Sequence, residues 1–369
     1  MAFESQVFSW SRIIIASSTT DGRSENESCN RWNEQFGLAD GTLRGVRDES
    51  SASCVISTGL SFPIFLPFGN ANASLIHFKC RQRTDRYQGQ PHLAGQGYQV
   101  LVVDYEDQQS LRHAVMGVDT IISTVTGPPG LQLLHASVAQ GVRRFAPADF
   151  EGRPSKRSDS DPLDRDKKLI HRWLDYYRSD TFEPTIFSCG VLYERFGPGG
   201  LESQRLGLNT NLSKEGDYIV DVRTMRASAP LYDADYEHIH ISMISAQDAA
   251  RLIVRAIDLP RWPRELCMVG DRMTVWNLCK TVEKVRGIPL VSTTWHTPDT
   301  LRDELRLALA YDDIPRQMRA CDHLETIHGR YDIPAPGNLR AFQETSDIEP
   351  LSFEDWLRAV WANIPIIRS

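Results

Sequence analysis

Short apolar runs alternate with amphipathic segments over most of the chain, and the alternation is clearest from residue 75 onward. Runs rich in Val, Ile and Phe are typical of buried strands, whereas apolar residues repeating every three or four positions are typical of helices. The pattern predicts strands at residues 75–80, 98–104, 118–124 and 143–147, and helices at 110–116 and 131–140. Strands and helices alternating at this spacing form right-handed βαβ units, so we expect an α/β fold with a doubly wound parallel sheet.

The same alternation continues through the second half of the chain. It predicts strands at 184–190, 239–244 and 266–270, and helices at 161–178, 246–257, 274–286, 299–310 and 353–362. We expect the last two helices to lie beyond the sheet and to help cover a substrate pocket. The predicted organisation is a Rossmann-type core at 75–160, followed at 161–369 by the rest of the sheet and a smaller substrate-binding portion.

Residues 1–74 do not follow this alternation. A β-branched run at 12–16 is one candidate for the first strand, and residues 54–58 are the other. Residues 17–53 are polar, rich in Ser, Asn, Gly and Arg, and show neither period. Because a long structureless stretch is unusual inside a compact domain, we interpret it as a disordered insertion or as translated sequence foreign to the native gene product. Whether the sequence is native protein or a gene-model artefact is an open question for residues 17–74 as a whole.

The composition narrows the class of protein. The 369 residues carry a net charge of −7 without a stripe of Lys and Arg, which argues against a nucleic-acid partner. The most apolar stretch, residues 60–68, is too short to span a membrane. The seven cysteines are scattered without a C-x-x-C pair, as expected in a reducing compartment. We therefore expect a soluble, cytoplasmic protein.

Missing motifs exclude several kinds of catalytic site. The sequence has no G-x-x-x-x-G-K-[ST], no G-x-S-x-G and no H-E-x-x-H. The Y-x-x-x-K pair of common short-chain dehydrogenases is also absent. His238 and His240 would share one face of a strand, but no third ligand is evident nearby. We interpret them as half-buried structural histidines and expect no metal site.

One lysine occupies an unusual place in the predicted helix 161–178. Three apolar residues share one face of this helix: Leu163, Ile170 and Leu174. Lys167 lies on that same face, whereas we expect Lys168 to point about 100° away, toward solvent. An ammonium group on an apolar face is costly unless it is paired or functional, and desolvation lowers its pKa. Lys167 is therefore a candidate acid or base, the alternatives being that it extends into solvent or pairs with Asp164.

A series of segments carries a family resemblance. YQVLVVDYED, GVDTIISTV and GVRRFAPADF are followed by DKKLIHRWLDYY, EPTIFSCGVLYERF and IHISMISAQDAARLIVRAID. The series resembles the NmrA-like and isoflavone-reductase-like branch of atypical short-chain dehydrogenases. There the third strand ends in Asp, the fifth in R-F-x-P-[S/A]-[E/D]-F, and the next helix reads K-x-x-I/V-R-R. The resemblance runs from about residue 98 to the C-terminus and is closest to fungal members.

The resemblance implies a Rossmann domain that holds NADP(H), or NAD, with a smaller domain closing over a small-molecule substrate. Lys167 matches the family's catalytic lysine, which polarises or protonates the substrate, and Lys168 is the candidate if the register slips by one. Arg81 or Arg83, just after the second strand, would pair with a 2′-phosphate and favour NADP. A solvated turn is an equally good interpretation of these arginines.

Further cofactor contacts follow from the strand ends, because ligands of parallel sheets bind at the carboxyl ends of the strands. By the resemblance, Asp104 would lie near the adenine, and Ser123 and Thr124 along the pyrophosphate and ribose. The residues implied beside the nicotinamide are Ala146, Pro147, Ala148 and Asp149. Without the resemblance, all of these are ordinary loop residues, since fold alone does not assign a site.

The chain departs from the family at its phosphate loop. The family places G-x-x-G-x-x-G after the first strand, where backbone amides and a helix N-terminus bind the pyrophosphate. After residues 12–16 the only candidate is Gly22, and after 54–58 the only one is Gly59. Pro63 and Pro67 then stand where the helix should begin, and Pro67 would break or kink it.

Three hypotheses about function remain open at this point. The chain is an NAD(P)H-dependent reductase of a small, for example aromatic or secondary-metabolite, substrate. Alternatively, it is a dinucleotide-sensing regulator of the NmrA kind that binds cofactor or a protein partner without turnover. In the third, it is a remnant that keeps the scaffold and has lost cofactor binding. Tyr193, Phe196 and Tyr232 would suit a planar substrate, although packing is the commoner role for aromatic residues.

Overall fold

The computed structural model describes residues 13–16, 77–80, 100–157, 161, 164, 166–204, 206–207 and 210–366. Its strands are β1 (Ile13–Ala16), β2 (His77–Cys80), β3 (Val100–Val103), β4 (Thr120–Ser123), β5 (Arg144–Ala146), β6 (Ile186–Cys189), β7 (Val191–Leu192), β8 (Ile219–Asp221), β9 (Arg226–Pro230), β10 (His240–Ile244), β11 (Glu265–Met268), β12 (Asp271–Thr274) and β13 (Ser292–His296). Its α-helices are α1 (Gln108–Ala114), α2 (Gly127–Ala139), α3 (Lys167–Tyr177), α4 (Gly200–Ser203), α5 (Ala246–Ala256), α6 (Val275–Arg286), α7 (Pro298–Ala310), α8 (Ile314–Ile327) and α9 (Phe353–Trp361).

The central sheet is parallel. β2 pairs with β3, β1 with β4, β4 with β5, and β6 with β11, all in parallel. β1 lies in contact with β2, and Thr185 N donates to Phe145 O at 3.0 Å, which joins the β5 and β6 regions. The order is therefore β3-β2-β1-β4-β5-β6-β11, which confirms the predicted Rossmann-type α/β fold.

One of the two candidates for the first strand, residues 12–16, falls largely within the described residues. Ile13–Ala16 occupies the position beside β4, with Ala16 opposite Ser123. The other candidate, residues 54–58, lies outside the described residues. The division of the chain at residues 74 and 160 stays a prediction, although Ile13–Ala16 adds a strand to the sheet from before the first of these boundaries.

Apolar faces of the helices cover the sheet. Leu111 of α1, Leu134 of α2 and Ile170 of α3 pack with Ile121 and Phe145 in one buried cluster. On the other side, Leu252 of α5 and Trp262 pack with Phe187 of β6. Because each helix buries one stripe against the strands, the sheet is covered on both faces, as its near-continuous apolar strands require.

The C-terminal half adds two small mixed sheets, β12-β10-β7 and β13-β9-β8. A third core cluster joins them to α6, α8 and α9. The sequence analysis does not predict α8, in which polar side chains are buried beside apolar ones such as Met318 and Ile327. The buried polar residues of α8 are Gln317, Asp322, His323, Glu325 and Thr326. β8, β9, β12 and β13 are also missed.

Helix α3 is shorter than predicted. It begins at Lys167 instead of residue 161, because Asp166 has a left-handed backbone with φ of 61°. Asp161 lies upstream in a buried ion pair with Arg330, 2.7 Å between Nη1 and Oδ2. The helix prediction for residues 161–166 is therefore wrong at the described positions 161, 164 and 166.

In the part of the chain that the structure describes, no helix is both long enough and apolar enough to cross a membrane.

Ser242 connects β10 to the segment after α8. Its hydroxyl donates to Ile333 O at 2.6 Å and accepts from Ile333 N at 3.0 Å, and the side chain is fully buried. Ser242 N donates to Tyr331 O at 2.9 Å. The adjacent Gly190 admits no side chain, since a Cβ there would lie 1.7 Å from Ser242 O. Ser242 thus fixes the strand to the segment that carries Arg330.

We predict that Ser242→Ala lowers the free energy of unfolding by about 2–3 kcal/mol, because the N–H and C=O of Ile333 lose their buried partner. Urea unfolding measures the loss. The control is Ser346→Ala, which removes an exposed hydroxyl that donates to Gln343 O at 2.9 Å. A loss for Ser242→Ala no larger than that of the control would contradict the anchoring role.

Candidate functional site

The carboxyl ends of the parallel strands place several predicted site residues at one edge. Ser123 ends β4 and Thr124 follows it, both buried. The β4–β5 register pairs Ile122 with Ala146, so Pro147, Ala148 and Asp149 follow at the neighbouring strand end. The structure thus brings the predicted ribose and nicotinamide segments together.

The remaining predicted cofactor contacts either make local hydrogen bonds or lie outside the described residues. Asp104 follows β3, and its Oδ1 accepts from Glu106 N at 2.9 Å. Arg81 and Arg83 lie outside the described residues. Ser123 Oγ accepts from Val125 N at 3.1 Å, so this hydroxyl stabilises the turn after β4. The cofactor roles of all these residues stay predictions.

The carboxylate of Asp149 is the centre of the site. Its side chain is 1% exposed and is contacted by three basic groups. Lys167 Nζ lies 3.1 Å and Arg157 Nη2 2.7 Å from Oδ1, while His171 Nε2 lies 2.9 Å from Oδ2. Lys167 therefore pairs with Asp149 and not with Asp164, one of the two alternatives to a functional role.

Asp164 serves other partners. It accepts from Lys168 N at 3.2 Å and lies 3.5 Å from Arg157 Nη1. Lys168 is half-buried, so the expectation that it points into solvent is only partly met. With Ile170 and Leu174 buried and Lys167 17% exposed on the same side of α3, the predicted face of the helix is confirmed at the described positions.

Asp161 and Arg330 form a further charged pair next to Arg157. Asp161 Oδ2 lies 2.7 Å from Arg330 Nη1 and 3.9 Å from Arg157 Nε. Arg330 follows α8, so the C-terminal half of the chain contributes to the surroundings of Lys167. The backbone reinforces this contact, because Arg153 N donates to Arg330 O at 2.8 Å.

These neighbours shift the pKa values of the central pair. Burial raises the pKa of the Asp149 carboxyl, but Lys167, His171 and Arg157 outweigh it and hold that pKa well below its usual range. Burial lowers the pKa of Lys167, Asp149 raises it, and the charges of Arg157 and Arg330 add to the lowering, so the net shift is downward. A lysine of this kind can release a proton closer to neutral pH than an exposed one can.

A further buried cluster lies beside the site. Arg195 pairs with Glu151, at 3.0 Å from Nε to Oε1 and 2.9 Å from Nη2 to Oε2. Its Nη1 lies 3.8 Å from Asp322, which accepts from the Tyr331 hydroxyl. Sequence spacing gives no signal for these pairs, since Arg195 and Asp322 are far apart in the chain. His171 could have been found, because it is one helical turn after Lys167.

The aromatic and histidine candidates lie elsewhere. Tyr193 and Phe196 are buried in the C-terminal core, which assigns them to packing, while Tyr232 is exposed. His238 is exposed and so not half-buried as expected. His240 is half-buried, and both line an open cavity of about 390 Å³. Among the described residues, no three His, Cys, Asp or Glu side chains are placed to hold a metal ion.

We predict that Asp149→Asn lowers the free energy of unfolding by about 3 kcal/mol, because it leaves buried basic groups without their counter-charge. Since the folded-state pKa of Asp149 is lowered, its stabilisation is present above the unfolded value of about 4 and is lost as the pH falls below it. Urea unfolding at pH 7 and pH 3 should show the difference from wild type shrinking at low pH. Asp175→Asn, at an exposed carboxylate of α3, is the control; an equal effect there would refute the prediction.

Glu194 provides an opposite pH dependence. Its carboxylate accepts from Ala246 N at 3.0 Å, and burial, together with nearby Glu151 and Asp248, raises its pKa to about 7. A raised carboxyl pKa gives stability that is present below about 4.5 and is lost as the pH rises through 7. We predict that the free energy of unfolding of the wild type falls by about 3 kcal/mol between pH 4.5 and pH 8 because of Glu194, and that Glu194→Gln abolishes this fall. Urea unfolding at the two pH values measures it. Parallel pH profiles for wild type and variant would show that Glu194 does not contribute.

Comparisons with known proteins agree with this architecture. The sequence profile of the NmrA-like family matches residues 81–334. No match was found among curated protein sequences.

Solved structures share the fold at low sequence identity. The leucoanthocyanidin reductase–NADPH complex from Vitis vinifera has a TM-score of 0.56 at 12% identity, covering 78% of this chain and 92% of its own. The quinone oxidoreductase QOR2 from Escherichia coli, in complex with NADPH, has a TM-score of 0.53 at 15% identity, with 78% and 90% covered. AtPrR2 with NADP+ and (+)pinoresinol has a TM-score of 0.55 at 16% identity, with 77% and 90% covered.

At these identities the neighbours establish a Rossmann-like fold and nothing finer. The family profile covers more than half of the chain, and it includes the Asp149–Lys167 site and the strands that position it. The chain therefore belongs to the NmrA-like family.

Proposed function

We propose that the protein is an NADPH-dependent reductase of a small organic substrate, in which Lys167 donates a proton to or polarises the reacting group. The observation that carries the proposal is a partly buried lysine with a lowered pKa, held by Asp149 at the carboxyl edge of the parallel sheet. This edge is where ligands of such sheets bind. Family membership supports the proposal, as do the NADP(H) complexes of the leucoanthocyanidin and quinone reductases that share the fold.

The residues at this edge fit NADP(H). Small and hydroxyl-bearing side chains lie at the ends of β4 and β5: Ser123, Thr124, Pro147 and Ala148. The negative charge of Asp149 at this edge is balanced by the positive charges of its basic neighbours, so this carboxylate does not repel a phosphate. Arg81 and Arg83 follow β2, whose carboxyl end lies at the same edge, and would favour a 2′-phosphate.

The phosphate loop is the weakest part of the proposed cofactor site. β1 ends at Ala16, and the next residues read SSTTDG, with hydroxyl side chains where the family has glycines. Fewer glycines limit how closely backbone amides approach a pyrophosphate. We therefore expect weaker cofactor binding than a glycine-rich loop gives.

When bound, NADPH supplies the hydride. Asp149 holds the ammonium of Lys167 at the strand end, and burial with the charges of Arg157 and Arg330 lowers its affinity for the proton. Lys167 can then hydrogen-bond to a substrate oxygen and release a proton to it as negative charge develops. No other described group at the ends of β4 and β5 combines these properties.

We predict that the full-length protein binds NADPH, detected by nucleotide fluorescence, and oxidises it with a quinone or other carbonyl acceptor. Lys167→Gln should lower kcat by about 10²–10⁴-fold, the usual contribution of a positioned acid, with NADPH binding little changed. Lys168→Gln, one position along the same helix, is the matched control and should retain activity.

The alternatives give different outcomes. Binding of NADPH without turnover of any acceptor would favour a dinucleotide-sensing regulator, and absence of binding would favour a scaffold that has lost its cofactor. NADPH oxidation that Lys167→Gln leaves unchanged would refute the catalytic role of Lys167.

A further inference from the structure

His171 stands one helical turn after Lys167 on α3 and contacts the same carboxylate. Its Nε2 lies 2.9 Å from Asp149 Oδ2, whereas Lys167 Nζ lies 3.1 Å from Oδ1. The two side chains therefore use different oxygens of one group. Each is 17% exposed, while Asp149 is 1% exposed, so both reach from the edge of solvent to a buried charge.

The remaining charged groups around this trio come from several elements. Arg157 shares Oδ1 with Lys167, and Arg330, from the segment after α8, lies close enough to lower the pKa of Lys167. Glu151, which follows β5, is paired with Arg195. On α3 itself the neighbours are Lys168, Arg172 and Asp175.

Imidazole exists in a neutral and a cationic form, whereas the guanidinium group of arginine stays charged. A change in the charge of His171 therefore alters how much of the Asp149 charge is left for Lys167.

We propose that His171 is a positioning residue that sets the proton affinity of Lys167 through Asp149. A charged ring at Oδ2 weakens the hold of Asp149 on the Lys167 ammonium, and Lys167 releases its proton more readily. A neutral ring leaves more of the carboxylate charge to Lys167, which then keeps its proton. In each turnover the proton passes from Lys167 Nζ to the substrate, and the neutral amine regains one from solvent; no electron is gained or lost at these side chains.

The catalytic consequence rests on the proposed reductase function, but the coupling itself does not. It can be measured on the folded protein without cofactor or substrate, as the pH dependence of Lys167 reactivity. Failure of the coupling is thus distinguishable from failure of the reductase proposal, which NADPH binding and turnover test.

The experiment is competitive labelling of amines with acetic anhydride between pH 6 and 11, read by mass spectrometry. A Lys168→Arg background removes the adjacent amine, so the labelled peptide reports Lys167 alone. Lys284, an exposed lysine on α6, is the internal reference. Two substitutions bracket the charge: His171→Arg fixes a cation near Oδ2, and His171→Gln fixes a neutral amide.

We expect the labelling midpoint of Lys167 to lie about one pH unit lower in His171→Arg than in His171→Gln, from a unit charge several Å away at intermediate effective dielectric. The midpoint of Lys284 should not move. If His171→Arg fails to fold, as judged by its thermal melt, His171→Lys replaces it as the cationic variant, and fragment masses distinguish the amine at position 171 from that of Lys167. Equal Lys167 midpoints in the cationic and the neutral variant would overturn the proposal.

Discussion

A buried carboxylate at the end of β5 determines how the charged groups of this protein are arranged. Removing a carboxylate from water costs several kcal/mol unless basic groups and hydrogen bonds compensate. Asp149, at 1% exposure, meets that cost with Lys167, Arg157 and His171. The lysine is therefore held where burial also disfavours its own charge, and its pKa is lowered.

The same constraint connects distant parts of the chain. Arg157 is shared with Asp161, which in turn binds Arg330 from beyond α8. Ser242 holds the segment that follows Arg330 against β10. The C-terminal half thus influences the electrostatic surroundings of Lys167 through contiguous contacts.

The sequence predicted most of the parallel sheet because its strands are apolar and its helices have clear stripes. It also placed Lys167 on the buried side of α3, since Ile170 and Leu174 follow at helical spacing. It could not predict the partner of that lysine, because Asp149 and Asp164 are both acidic residues near α3. Only the fold shows that Asp149, which follows β5, lies against the Lys167 side chain. The partners of the buried Asp322 of α8 could not be predicted either, because Arg195 and Tyr331 lie on other segments of the chain. The sequence leaves two candidates for the first strand; the structure pairs Ile13–Ala16 with β4, and the other candidate lies outside the described residues.

We propose that Asp149 presents Lys167 to a dinucleotide at the carboxyl edge of the sheet. The decisive measurement is a crystal structure of the full-length protein with NADPH at neutral pH. We expect NADPH along the ends of β1, β4 and β5, with Lys167 Nζ about 3 Å from Asp149 Oδ1 and adjacent to the nicotinamide. Lys167 turned to Asp164 or to solvent, with Asp149 paired to other groups alone, would contradict it.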